Sequence, residues 1–130
     1  MHNSEIEPKQ RIKEAALKLF ARNGFNGTGL RDVAREANVN VAMISYYYGG
    51  KTELMKSFFD EYQDRLQHIT IDAYSKSYEP EEMIRDTLKQ IIVFTKENPD
   101  LCQITMNETN FSDEELHTYR INKIKKGSSY

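Results

Sequence analysis

Apolar residues in the first third of the chain fall on a helical period. Ile12, Ala15, Ala16, Leu19 and Phe20 recur at i, i+3, i+4, i+7 and i+8, which puts them on one stripe of a helix over about residues 8–23. Pro8 suits its first turn, where an N–H has no intrahelical acceptor, and Asn23-Gly24 suits its end. Phe25 follows as a core plug. A second helix is predicted from Leu30 to Ala37, with Asp32 in the first turn and Leu30, Val33, Ala34 and Ala37 facing inward. Asn38-Val39-Asn40 is a three-residue turn, and Asn40 is placed to cap a third helix, Val41–Tyr48, which Gly49-Gly50 stops.

The same period continues to the end. A long helix runs from Lys51 to about Ser75, with Leu54, Phe58, Tyr62, Leu66 and Ile69 on one face. Tyr78-Glu79-Pro80 breaks it, and a fifth helix starts at Pro80 and ends near Asn98. Asn98-Pro99 opens a sixth. Ser112-Asp113-Glu114-Glu115 is a capping box, Ser with Glu three residues on, opening a seventh to about Lys126. No segment alternates convincingly at period two, and no internal repeat is present. The expected fold is all-α: a three-helix helix-turn-helix head over residues 1–50, joined by a long fourth helix to a helical region over residues 51–130.

Composition narrows the class without naming a chemistry. Hydrophobic residues make up 38% of the 130 and charged residues 29%, the balance of a globular domain rather than a disordered one. The longest strongly apolar run, Ile91-Ile92-Val93-Phe94, is far too short to span a bilayer. The start, Met1-His2-Asn3-Ser4-Glu5, has no basic segment with an apolar stretch behind it, so no secretory signal is expected. The single cysteine, Cys102, cannot form an internal disulfide; it reads as a small buried residue and fits a reducing cytoplasm. Net charge is −2, but it is unevenly spread: residues 1–51 carry eight Lys/Arg against five acids, +3, while the remainder carries −5. A basic front and an acidic back suit a module that approaches phosphates with one end.

The third helix decides what that front is for. At 100° per residue Val41, Ile44 and Tyr48 cluster on one side and pack toward the first two helices. Ala42, Met43 and Tyr46 lie opposite, with Ser45 and Tyr47 on the flanks. A methionine and two tyrosines facing out of an eight-residue helix are unusual for a solvated face. Tyrosine hydroxyls can donate to phosphate oxygens, and a small apolar side chain such as Ala42 can meet a thymine methyl. Lys51, just past the glycine turn, stands where a backbone phosphate would be neutralised.

At these residues the sequence resembles a known family. The run Gly27-Thr28-Gly29-Leu30-Arg31-Asp32-Val33-Ala34-Arg35-Glu36-Ala37-Asn38-Val39 is similar to the second-helix signature of TetR/AcrR-type transcriptional regulators. Residues 40–54 resemble their recognition helix and the start of helix four, and Ala15 to Phe25 resemble their first helix, so the likeness covers about residues 9–60. It implies phosphate contacts by Thr28, Tyr47 and Lys51, with Arg31 reaching a base edge or a phosphate. It implies a reading surface of Val41, Ala42, Met43, Ser45 and Tyr46 in the major groove of double-stranded DNA. It further implies a homodimer, mostly acting as a repressor, released when a small molecule binds the C-terminal helices. No cofactor or metal is implied, and no membrane.

Two positions depart from the pattern. Gly29 stands where the family often has a second threonine, which weakens the expected N-cap by roughly a few tenths of a kcal/mol. Val41 occupies a position that is often polar, so specificity is expected to lean on thymine methyls and groove shape. Residues 51–130 resemble the family's effector and dimerisation domain only in part. Their inner faces, Phe58, Tyr62, Leu66, Met83, Thr87, Leu88, Ile91, Thr95, Leu101, Ile104 and Thr105, form either an effector pocket for a small apolar ligand or ordinary helical core. Family members commonly continue through further helices, the last two forming a four-helix dimer interface. Here Ile121 to Tyr130 is a polar tail, which leaves a part of something longer or dimerisation by another route.

Two other classes compete. An enzyme would need a site, but His2, His68 and His117 are scattered, Cys102 has no evident His partner, and no strand precedes Gly24, Gly27 and Gly29 as a phosphate-cradling loop requires. His117 with Glu114 or Glu108, and His68 with Asp64 or Asp72, can be drawn as metal pairs, but scattered histidines beside acids read as solvated surface. A truncated helical interaction module that pairs with or antagonises a full-length relative is the other alternative.

Overall fold

The computed structural model describes residues 6–76, 79–107 and 114–128. Seven helices account for the regular structure of these residues: α1 Pro8–Asn23, α2 Leu30–Ala37, α3 Val41–Tyr48, α4 Lys51–Lys76, α5 Pro80–Glu97, α6 Pro99–Met106 and α7 Glu114–Ser128. Prolines open α1, α5 and α6, where their fixed φ is already helical. The Ser112 and Asp113 of the expected capping box lie outside the described residues.

The link between α2 and α3 is set by two asparagines. Asn38 takes the left-handed conformation (φ 55°); its N–H donates to the Arg35 carbonyl and that of Val39 to the Ala34 carbonyl, closing α2 with a Schellman pair. Asn40 then accepts from the Ala42 N–H at 2.9 Å through its side chain and starts α3. At the other end of α2, Gly29 offers no side chain, and the Asp32 carboxylate accepts the Gly29 N–H at 3.3 Å in its place.

Packing runs across the whole chain. α1 carries Ile12, Ala15, Ala16, Leu19 and Phe20 into a core shared with Val33, Ile44, Leu54, Met55 and Phe58. Phe20 is its junction: its ring lies 5.7 Å from that of Phe25 and meets Phe58 edge-on at 6.1 Å. α6 packs on α1 as well as on α4, and Gln103 Nε2 donates to the last-turn carbonyl of Ala21 at 3.1 Å. α4 is flanked by α5 and α7. Tyr62 and Phe94 join α4 to α5, while the Tyr119 hydroxyl donates to Asp60 at 2.6 Å and Lys123 approaches Asp60 and Asp64 to join α7 to α4. Cys102 is buried in this core and forms no disulfide. Among the described residues no helix is long and apolar enough to cross a membrane.

Candidate nucleic-acid interface

α3 is held from behind and bare in front. Ile44 is fully buried beneath it. Tyr48, half-buried, donates its hydroxyl to the Lys9 carbonyl at 3.1 Å and so pins the end of α3 to the start of α1. Burial pushes its phenol pKa above the ordinary tyrosine value, with the Glu61 charge adding to the shift. On the far side Ala42 and Ser45 are exposed, and Tyr46 is 82% exposed. The Tyr46 and Tyr47 rings meet edge-on at 5.0 Å, so Tyr47 braces the projecting ring while its own flank rests on the core. No charged residue occurs on the helix.

The orientation differs from the helical-wheel expectation at two residues. Met43 is half-buried against the core, whereas Val41 is 36% exposed. The buried direction passes between Ile44 and the Met43–Tyr47 flank, so the Val41 side lifts off. Val41 thus stands on the outer surface, as the family resemblance implies, and not among the buried residues.

Thr28, expected to contact a phosphate, is 2% exposed, and its hydroxyl proton is shared between the Gly24 carbonyl at 2.8 Å and the Leu19 carbonyl at 3.1 Å. The Gly24 carbonyl lies just past the end of α1, and the threonine four residues on satisfies it while adding a second donor to the Leu19 carbonyl. Arg31, the second residue of α2, is exposed. Lys51, the first residue of α4, sets its ammonium 4.4 Å from the centre of the Phe25 ring, a cation–π contact that aims it, and burial holds its pKa below the usual lysine value. Arg11 was missed by the sequence reading: its guanidinium donates to the last carbonyl of α2, Ala37, at 3.0 Å and to the Ile6 carbonyl at 2.8 Å, locking α1 to α2.

This arrangement is a helix-turn-helix whose second helix is offered to the outside. The description of bacterial regulatory proteins of the tetR family matches residues 12–58, which hold all of α2 and α3. Over these residues the head matches the tetR-family pattern. Over 75 residues the chain is 40% identical to a probable HTH-type transcriptional regulator, YttP of Bacillus subtilis, covering 58% of this chain and 32% of that protein. It is 38% identical over 80 residues to the HTH-type transcriptional regulatory protein RaaS of Mycobacterium tuberculosis, covering 62% of this chain and 37% of that one. The chain therefore spans about a third of the length of these relatives. The fatty acid degradation regulator FadR of Bacillus halodurans has the same fold, with a TM-score of 0.81 at 20% identity over 93% of this chain and 63% of that one.

Behind the TetR-type head, the residues expected to line an effector pocket separate into three places. Phe58, Leu101, Ile104 and Thr105 are buried in the core, and the Thr105 hydroxyl donates to carbonyls of its own helix. Of the two expectations for Phe58, Leu101 and Ile104, a pocket lining or ordinary helical core, their burial is that of core. Tyr62 borders a narrow cleft with Phe59, Gln63, Arg120, Lys123 and Ile124. Met83, Thr87 and Leu88 line an open groove of about 230 Å³ between α4 and α5, together with Thr70, Tyr74 and Ile84. Leu66 and Ile91 are half-buried against the core, and Thr95 is exposed. His68 uses Nδ1 toward the Asp64 backbone carbonyl at 2.8 Å, not toward a carboxylate.

Proposed function

We propose that this chain is a sequence-specific transcriptional regulator that inserts α3 into the major groove of double-stranded DNA. In this reading it acts in the cytoplasm as a dimeric repressor on a palindromic operator and leaves it when a small apolar effector binds. One observation carries the reading: an uncharged helix, clamped from behind by Ile44 and Tyr48, that presents Ala42, Ser45 and a braced Tyr46 outward. A major groove accepts one α-helix, and side chains of this kind read thymine methyls and base edges. Arg31, Tyr47 and Lys51 supply the phosphate contacts that fix register. The division of labour is a DNA-binding part over residues 1–50 and an effector and dimerisation part over 51–130. The relatives' names as HTH-type transcriptional regulators support it. So does a fold-mate, FadR of Bacillus subtilis, solved in complex with stearoyl-CoA; the groove between α4 and α5 is the candidate seat for an effector here.

The test is selection of binding sites from a random duplex pool with the 130-residue chain. A palindrome of two half-sites is the expected result. A lone half-site retains DNA reading and removes the dimer. No enrichment at low salt, where phosphate contacts are strongest, overturns the proposal.

A further inference from the structure

The cations of the head are not equally available to an outside anion. Arg11 gives its guanidinium to the carbonyls of Ala37 and Ile6. Lys13 pairs with Glu61 at 2.7 Å, Lys18 with Glu36 at 2.7 Å, and Arg35 with Asp32 at 3.5 Å. The charge of Arg22 acts on Glu36 as well. Lys9, Arg31 and Lys51 are left, and among the described residues none of the three enters an ion pair.

Lys9 and Lys51 share a setting. Each ammonium faces an aromatic ring, Lys51 at 4.4 Å from the centre of Phe25 and Lys9 at 5.8 Å from that of Tyr48. A ring face attracts a cation without neutralising it, so the charge is aimed and still available. Both lysines also stand at the C-terminal end of α3. Lys51 follows that end across Gly49-Gly50, and the Lys9 carbonyl accepts the hydroxyl proton of Tyr48, the last residue of α3, at 3.1 Å. Tyr48 thus holds Lys9 twice, its hydroxyl on the main chain and its ring on the ammonium. α3 itself carries no charge. A helix in the major groove is flanked by phosphates, so the cations that neutralise them at this end of α3 come from α1 and α4.

We infer that Lys9 binds a DNA phosphate beside the C-terminal end of α3, and that Tyr48 is the positioning residue that holds it there. The inference rests on the proposed insertion of α3 into the groove and adds a residue of α1 to the phosphate contacts of Arg31, Tyr47 and Lys51. It also ties register to reading. Tyr48 belongs to α3, so the reading helix and this backbone contact move as one piece, and a displaced α3 draws Lys9 off its phosphate.

Titration of the selected duplex and of a scrambled one, between ~50 and ~300 mM salt, tests this with variants of the 130-residue chain. Lys9→Gln is expected to lower the log–log salt slope by about 0.9 and to weaken binding roughly five- to tenfold at ~0.1 M salt. The loss is expected to be equal on both duplexes, since a phosphate carries no sequence. Lys9 is exposed, so the melting temperature is expected to stay in place, and Lys9→Arg is expected to restore the slope. Tyr48→Phe keeps the ring and loses the hydroxyl; it is expected to lower the slope too, and to add nothing in combination with Lys9→Gln. Lys18→Gln removes the same charge from a lysine already paired with Glu36 and is expected to leave the slope unchanged. A slope that survives Lys9→Gln, one that falls equally with Lys18→Gln, or one that Tyr48→Phe does not move each overturns the inference. A parent that selects its duplex and loses no slope on Lys9→Gln sinks this contact and leaves the proposed function intact, whereas a parent that binds no duplex at low salt overturns both.

Discussion

Thr28→Val separates a structural threonine from a phosphate-contacting one. The hydroxyl that valine removes is buried and gives its proton to the Gly24 and Leu19 carbonyls at 2.8 and 3.1 Å. Loss of such a bond costs about 0.5–1.5 kcal/mol net, and a carbonyl left dry adds to it. The extra methyl offsets up to ~0.8 kcal/mol of that, provided it packs. The balance is a destabilisation of about 1–2 kcal/mol, with the branched shape and volume preserved. For a domain of this size that lowers the melting temperature by roughly 3–8 °C.

Thermal unfolding by circular dichroism gives the first readout, and titration of a selected duplex well below the melting temperature gives the second. The buried geometry predicts the drop in melting temperature together with an affinity for duplex within about twofold of the parent, since the folded fraction is nearly complete in both. A hydroxyl that reached a phosphate would give the opposite pair: unchanged stability and an affinity loss of about one hydrogen bond, up to roughly tenfold. That second pattern would refute the reasoning.

Other consequences are read the same way. Tyr46→Ala removes a side chain that is 82% exposed, so stability should stay within about 0.5 kcal/mol while affinity for the selected duplex falls at least about tenfold; unchanged affinity removes Tyr46 from the reading surface. Asn38 sits at φ 55°, so Asn38→Val should cost about 1–2 kcal/mol in urea unfolding and Asn38→Gly should cost little, and equal costs would mean that the left-handed cap is not what matters. Burial, followed by the hydrogen bond to Asp60, pushes the Tyr119 phenol up to about 12. The folded protein therefore holds that proton more tightly than the unfolded chain, whose phenol titrates near 10. The stabilisation is complete below about pH 10 and fades as pH rises toward about 12. The melting temperature of Tyr119→Phe should fall less steeply than that of the parent across this window, and parallel curves would sink the argument.

Helix by helix, the sequence is readable where a local rule acts alone. Pro8, Pro80 and Pro99 open helices, Gly49 ends one, and Asn40 caps another, each through backbone chemistry within a turn. Periodicity also identifies which face of α1 is buried. It does not say what that face is buried against, and there the reading of the C-terminal helices leaves pocket and core open. Phe58, Leu101 and Ile104 carry the same signal whether they line a pocket or fill a core, and the approach of α6 to α1 makes them core. α5 has apolar residues on two sides, Met83, Ile91 and Phe94 inward and Ile84, Leu88 and Ile92 outward; period 3.6 alone does not rank the two. Thr28 is ambiguous for a related reason, since a threonine between two helices can satisfy carbonyls at the end of the first or a group outside the protein, and only the burial of the α1 end shows where its hydroxyl goes.

That same burial constrains how the two parts can influence one another. Phe20 belongs to the helix that carries the head, yet its ring packs on Phe58 of α4, and Gln103 of α6 ties to Ala21 one residue further along α1. Lys13 pairs with Glu61 at 2.7 Å on the same boundary. A pivot confined to Gly49-Gly50 would have to break these contacts together, at a cost far above the few kcal/mol that an effector's differential binding supplies. A ligand proposed to sit between α4 and α5 would act more cheaply by moving α4 and α1 together, with Phe58 and Phe20 staying packed as one unit. In the proposed regulator the signal would therefore pass through α1 and α4 moving together, and the small glycine turn would follow that movement instead of setting it.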